Sequence, residues 1–247
     1  MTTPLPKKFS AFRLPVQKNS QILAIFAIVC TAIVGLINEL TKDKIKAQEQ
    51  LQLLATLHSI IEPNRYNNDI TQDCVSLSSP LLGGSKNNNA VQTAYIARKG
   101  KDVIAVAVTS TAPDGYNGNI ELIIAVNIDY SISGVRVLKH QETPGLGDKV
   151  ELKRSDWITR FNGKALLSEK DSRWAVAKDG GMFDQFTGAT ITPRAVVKAV
   201  KNTALYFKNN KDLLLALPNN CLVTNHKPEA ESAQTADESI NGADNEH

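Results

Sequence analysis

The 247-residue chain carries no charged residue from Asn19 to Asn38, and no acidic residue precedes Glu39. Its three cysteines, Cys30, Cys74 and Cys221, form neither a CxxC nor a CxxCH pair. That excludes a thioredoxin-type redox motif and a c-type haem attachment. The dinucleotide fingerprint and the Walker loop are missing too, as are a Ser-His-Asp set and a paired-carboxylate site. A chain without hydrolytic or nicotinamide machinery needs a cofactor to do redox work. The net charge of +3 is spread along the chain, and no basic run is dense enough to argue for nucleic acid. No internal repeat occurs.

What is there begins with an apolar run. Ile22 to Ile37 is nearly all aliphatic, and the uncharged stretch around it, about 20 residues at 1.5 Å each, spans roughly 30 Å, the thickness of a bilayer's hydrocarbon core. A cleaved signal peptide is the rival reading. The run is long for one, and Leu36-Ile37-Asn38-Glu39 offers no small-x-small cleavage site. Cys30 follows Val29 and the apolar run continues past it, which does not make a lipoprotein site. The segment reads as an uncleaved anchor. Lys7, Lys8, Arg13 and Lys18 before it keep the N-terminus cytoplasmic and put the bulk of the chain on the other side, the periplasm of a Gram-negative cell. Cys74 and Cys221 would then share an oxidising space, where a disulfide tends to close.

Beyond the anchor, Thr41 to Ile60 continues as helix, with Leu51, Leu54, Leu57, His58 and Ile61 on one face and Pro63 stopping it. His58 reads as a packed or capping side chain. Residues 64–89, rich in Asn, Ser, Pro and Gly, read as loop. Strands are expected over Val91–Ala97 and Val103–Ser110 around a Lys99-Gly100-Lys101-Asp102 turn, then over Ile120–Ile128 as a central strand and Val135–Lys139. A short helix is expected at Trp157–Phe161 and a last strand at Trp174–Ala177. The fold class is α+β: one N-terminal transmembrane helix, then a mainly antiparallel sheet with packed helices. The chain divides into 1–18 (cytoplasmic), 19–38 (transmembrane), 39–89 (connecting helix and loop), 90–217 (folded domain) and 218–247, mostly a disordered tail because it has little to bury.

Two stretches concentrate unusual chemistry. In Asp184-Gln185-Phe186-Thr187-Gly188-Ala189-Thr190-Ile191-Thr192-Pro193, three hydroxyls surround a Gly-Ala pair where a loop becomes a helix. Pro193 suits a first helical residue and Thr192 its N-cap, and the apolar spacing from Ala195 to Phe207 is helical. A helix start suits a phosphate, although an ordinary capped helix gives the same pattern. In His140-Gln141-Glu142-Thr143-Pro144-Gly145-Leu146-Gly147-Asp148, a Pro-Gly turn exposes backbone on both sides of Leu146. A flat ring could rest there; so could nothing more than a strand-end turn. A third glycine-rich loop, Ala112–Gly118, offers Tyr116 either for stacking or for packing.

Asp184-x-x-Thr187-Gly188-Ala189-Thr190-x-Thr192 resembles the flavinylation motif of the FMN-binding domain shared by the Rnf (Rsx) complexes and the Na⁺-pumping quinone reductases. In that family the last hydroxyl residue of the Ser/Thr-Gly-Ala-Thr run carries FMN through a phosphoester, which here implies Thr190. Glu142-Thr143-Pro144-Gly145-Leu146-Gly147 resembles the family's other signature. Together with His140 before it, and with Asp179-Gly180-Gly181-Met182-Phe183 and Pro193–Val197 around the first motif, it is most similar to the Rnf G-subunit family. The resemblance implies that residues 90–217 form an FMN-binding domain, and that Thr187, Gly188, Ala189, Thr192, Glu142, Thr143, Gly145 and Leu146 surround the cofactor. No catalytic or metal residue is expected. The implied function is a membrane-anchored flavoprotein subunit relaying electrons in the inner membrane. Its partners would be the other Rnf subunits, which move ions, and a flavin transferase using FAD; Asp184 would belong to the segment that this transferase reads. Two alternatives stay open: the C subunit of a Na⁺-pumping quinone reductase, and a membrane-anchored binding or regulatory module that holds FMN non-covalently or not at all and relays no electrons.

Overall fold

The computed structural model describes residues 10–83 and 91–221, apart from the side chains of 10–18, 43 and 46. The C-terminal stretch expected to be a tail lies from residue 222 onward outside the described residues. The chain forms two compact units, Met1–Leu53 and Leu54–His247.

The first unit holds most of helix α1 (Ser10–Ile60). Within it Asn19–Lys42, 24 residues of mean hydropathy 2.4, leaves every side chain out of the protein interior. Ile22, Leu23, Phe26, Ile28, Val34 and Leu36 are all more than half exposed. A helix that is apolar all round with no protein covering it is suited to lipid, and the segment is consistent with a single-pass membrane anchor. The helix runs on through Thr41–Ile60, as its periodicity predicts.

The second unit is a five-stranded antiparallel sheet in sequence order, β1 (Cys74–Leu77), β2 (Gln92–Lys99), β3 (Asp102–Gly115), β4 (Gly118–Asn127) and β5 (Ile132–Lys139). Each strand pairs with its chain neighbour, so short turns make every connection in the sheet except the one between β1 and β2. The turn at residues 99–102 joins β2 to β3 where expected, and β4 is interior, paired on both sides. Helix α2 (Ile191–Ala216) lies across β3, and Val196, Val200 and Phe207 join Val106, Val108, Ile120, Leu122 and Ile124 in one core. The end of α1 packs on β5: a β-carbon on Gly134 would stand 2.8 Å from Ile60 Cα, so only glycine admits the helix there. Ser133 and Arg136 donate to the last carbonyls of that helix, Ile60 O and Ser59 O, at 2.7 and 2.9 Å, which satisfies acceptors that a helix end leaves free. Leu57 and Ile61 are buried there, while Leu51 and His58 are exposed, His58 with its ring 6.2 Å from that of Tyr66.

Three expectations are corrected. The stretch 64–89 is not all loop, because β1 forms within it. Asn220 completes the far edge of β1, its amide donating to Cys74 O and its side chain accepting from Ser76 N. No strand forms at Trp174–Ala177. There the chain doubles back on itself, with Met182 N, Phe183 N and Gly181 N donating to Arg173 O, Ala175 O and Val176 O, so the backbone groups a strand would offer to the sheet are already used. Finally, α2 starts at Ile191 with Thr190 as the residue before it, not with Thr192 as cap and Pro193 first. Proline is tolerated in this first turn because its N–H would have no partner inside the helix anyway.

Candidate functional site

The loop leading into α2 rests on an aromatic floor. Phe186 is buried and meets the Trp157 ring edge-on at 5.2 Å, Trp157 donates its indole N–H to Asp184 O at 2.8 Å, and Phe183 packs on Phe161. Over that floor the chain turns tightly. Ala189 N donates to Phe186 O at 3.1 Å, with Gly188 at φ 79°. A turn of this kind needs φ > 0 at its third residue, which glycine adopts without strain. Thr187 and Gly188 are exposed by this turn and Ala189 and Thr190 half-exposed.

The second motif uses the same device. Leu146 N and Gly147 N donate to Thr143 O, both at 3.1 Å, with Pro144 second in the turn and Gly145 third at φ 78°. Thr143, Pro144, Gly145 and Leu146 all face outward, Leu146 at 41% exposure despite being wholly apolar. The two turns meet: a β-carbon on Gly188 would stand 3.7 Å from Leu146 Cδ2, and one on Gly145 would have no neighbour within 4 Å. Two segments more than 40 residues apart in sequence therefore build one open, glycine-floored surface.

Beneath it lies a polar tie. Glu142 and Thr192 are buried, and the Thr192 hydroxyl donates to Glu142 Oε2 in a short hydrogen bond. Asn117 N donates to Glu142 Oε1 at 3.1 Å, and the Asn117 side-chain amide donates to Gln141 O at 2.7 Å. The β3–β4 turn is thereby drawn into the site through its backbone, while Tyr116 beside it is two-thirds exposed. His140 Nδ1 accepts from Glu142 N at 3.0 Å, so the ring proton sits on Nε2, which donates to Glu151 Oε1 at 2.8 Å. Asp148 is buried with Oδ1 unpartnered among the described residues and Oδ2 3.3 Å from Arg154. Sequence reading did not assign Asn117, whose partners Gln141 and Glu142 lie in another segment, and it named His140 and Asp148 only as members of the motif stretch, without the bonds they make to Glu142, Glu151 and Arg154.

The first turn of α2 has no acidic residue, and the Thr190 side chain makes no capping hydrogen bond. A helix start with uncapped N–H groups attracts anions, and one, the buried Glu142 carboxylate, already lies beside it. Arg194, one turn on, is held by Asp179 through two hydrogen bonds of 2.6 and 2.8 Å, and its guanidinium holds the Asp179 carboxyl below the usual carboxylate range. The residues fit a phosphorylated aromatic cofactor: hydroxyls and a helix start for the phosphate, exposed backbone and an apolar side chain for a ring. Among the described residues no cluster of His, Cys, Asp and Glu suits a metal ion.

These features define an FMN-binding domain behind an N-terminal apolar helix, and comparison with known families agrees. Residues 115–204 match the FMN-binding domain family, and residues 11–60 match the RnfG N-terminal region. The G subunit of the ion-translocating oxidoreductase complex of Shewanella piezotolerans is 51% identical over 209 residues, 84% of this chain and 97% of that protein. The G subunits of the same complex from Vibrio atlanticus and Erwinia tasmaniensis are 48% and 47% identical, over 83% and 82% of this chain and 97% and 95% of their own lengths. The chain belongs to the family of G subunits of ion-translocating oxidoreductase complexes.

Proposed function

We propose that this chain is the flavin-carrying relay of its complex, with FMN esterified to Thr190 on the outer side of the inner membrane. The observation that carries the reading is the inequality of the three hydroxyls. Thr192 is 1% exposed and bonded to Glu142, which leaves no room for a bulky phosphoryl group on it. Thr187 and Thr190 are both accessible, and only Thr190 stands at the helix start, where the dipole favours a phosphodiester's remaining charge. The family motif selects the same residue. Attachment joins the Thr190 oxygen to the flavin-side phosphorus of FAD, the pyrophosphate bond breaks, AMP leaves, and the hydroxyl proton passes to the transferase or solvent. The chain shows no nucleotide-binding motif of its own, so a separate transferase supplies that step.

Bound FMN supplies one- and two-electron transfer. The protein's part is to hold it: Leu146 covers apolar ring surface, the backbone around Gly145 and Gly188 approaches closely, and Thr143, Thr187 and Ala189 line the edge. A covalent tether suits a compartment where free flavin is scarce. The basic flank of Lys7, Lys8, Arg13 and Lys18 keeps the N-terminus cytoplasmic. One span makes no ion pathway, so translocation resides in polytopic partner subunits. Ultraviolet-excited fluorescence of the denatured chain, made with its transferase, tests the reading. A bright wild-type band and a dark Thr190→Ala band are expected. A bright Thr190→Ala band would move the attachment elsewhere, and a dark wild type would remove it.

A further inference from the structure

Glu142 and Thr192 are 50 residues apart in sequence, yet each is the other's buried partner. The carboxylate gathers its donors from different segments: the Thr192 hydroxyl from the first turn of α2 and the Asn117 amide from the β3–β4 turn. Glycines close over it on two sides. A β-carbon on Gly115 would come within 2.9 Å of Glu142 Oε1, and one on Gly147 within 2.8 Å of both Glu142 Oε2 and Thr192 Oγ1. The Glu142 backbone is fixed in turn by His140. At 5% and 1% exposure both side chains are covered by protein.

The tie fixes a rotation. With 3.6 residues per turn, positions two apart point about 200° away from each other around a helix axis. Drawing Thr192 inward to Glu142 therefore turns the side of the helix start that bears Thr190 outward. We infer that Glu142 is a positioning residue: its bond to Thr192 sets the orientation of the α2 start so that the Thr190 hydroxyl is presented to the flavin transferase. A carboxylate suits the role because it accepts from both groups facing it, whereas a glutamine that accepts from Asn117 N must donate to Thr192 and turn that hydroxyl around. It also lies beside the positive end of the helix dipole. The inference rests on Thr190 as the acceptor.

The test is the initial rate of flavin attachment to the full-length chain in detergent, with transferase and FAD, read as fluorescence of denatured aliquots and by intact mass. Near-ultraviolet circular dichroism gives the folded fraction of each variant. Glu142→Gln lies outside the motif that the transferase reads, so it alters presentation without altering that sequence. Glu142→Gln and Thr192→Val are each expected to slow attachment about ten-fold or more per folded molecule. Thr192→Ser, which keeps the hydroxyl, restores most of the rate, and the double variant is no slower than Thr192→Val alone, because the two side chains act as one unit. Wild-type rates in Glu142→Gln and Thr192→Val overturn the inference. So does a loss that disappears once rates are divided by folded fraction, or unfolding of both variants, since the pair would then be structural only. A bright Thr190→Ala chain would instead overturn the acceptor assignment beneath it.

Discussion

Leu146 and Gly188 face each other across the site, and a β-carbon on Gly188 would come 3.7 Å from the Leu146 side chain. Each belongs to its own turn, and both turns place a glycine at positive φ beside an exposed surface. The site is thus a seam between two similar turns, and substitutions on either side have separable consequences.

Gly188 stands where only glycine is free of strain. At φ 79° a side chain costs about 1–2 kcal/mol, and valine would also press on Leu146. Gly188→Val is expected to lower Tm by a few degrees and to lose most covalent flavin. Thermal unfolding followed by in-gel fluorescence checks both. Unchanged attachment would show that the turn is not part of the acceptor geometry.

Leu146 has little to lose in folding. At 41% exposure, Leu146→Ala should change stability by no more than about 0.5 kcal/mol. Attachment should persist, while the native flavin's absorption and emission move toward those of free FMN. A native spectrum identical to wild type would remove Leu146 from the ring.

Cys74 and Cys221 bring their sulfurs to 2.03 Å, joining residues 147 apart in sequence. Asn219 and Asn220 beside them bond to Gln72 O, Cys74 O and Ser76 N, so the link holds the segment after α2 on the β1 edge. Cys74→Ser is expected to cost about 2–4 kcal/mol. Thiol titration of denatured protein prepared without reductant should find Cys30 alone; three thiols would contradict the pairing.

Asp171 accepts from Arg173 Nε and Nη2 at 2.9 and 2.8 Å and from Leu167 N. The Arg173 side chain, foremost, holds its carboxyl well below the ordinary value of 3.8. Because the folded value is depressed, the ion contributes stability throughout the range above 3.8 and loses that contribution only as pH falls below it. Asp171→Asn should therefore lower Tm by a constant amount from neutral pH to about pH 5, with the gap to wild type shrinking in stronger acid. A gap that grows on acidification would reverse the sign.

Much of this is legible in the sequence, for identifiable reasons. The apolar run at Asn19–Lys42 and the β-branched run of β4 are local signals, and the hairpin at 99–102 joins two such runs. Strand β1 is four residues long and is defined by its partners on β2 and by Asn220, neither of which its own composition reveals. Trp174–Ala177 has the composition of a strand, but its backbone bonds are made inside its own loop. Helix α2 starts two residues before the position its capping pattern indicates. Capping rules see Thr192 and Pro193 but not Glu142, which draws the Thr192 hydroxyl inward. The motifs mark the candidate site; the approach of Leu146 to Gly188 and the burial of Thr192 need the fold.

The most direct measurement is the intact mass of the chain purified from cells that contain its transferase, compared with Thr190→Ala from the same cells. The account predicts a wild-type mass raised by one FMN less one water, and an unmodified mass for the variant. A bare wild-type polypeptide, or the same added mass on both chains, would contradict it.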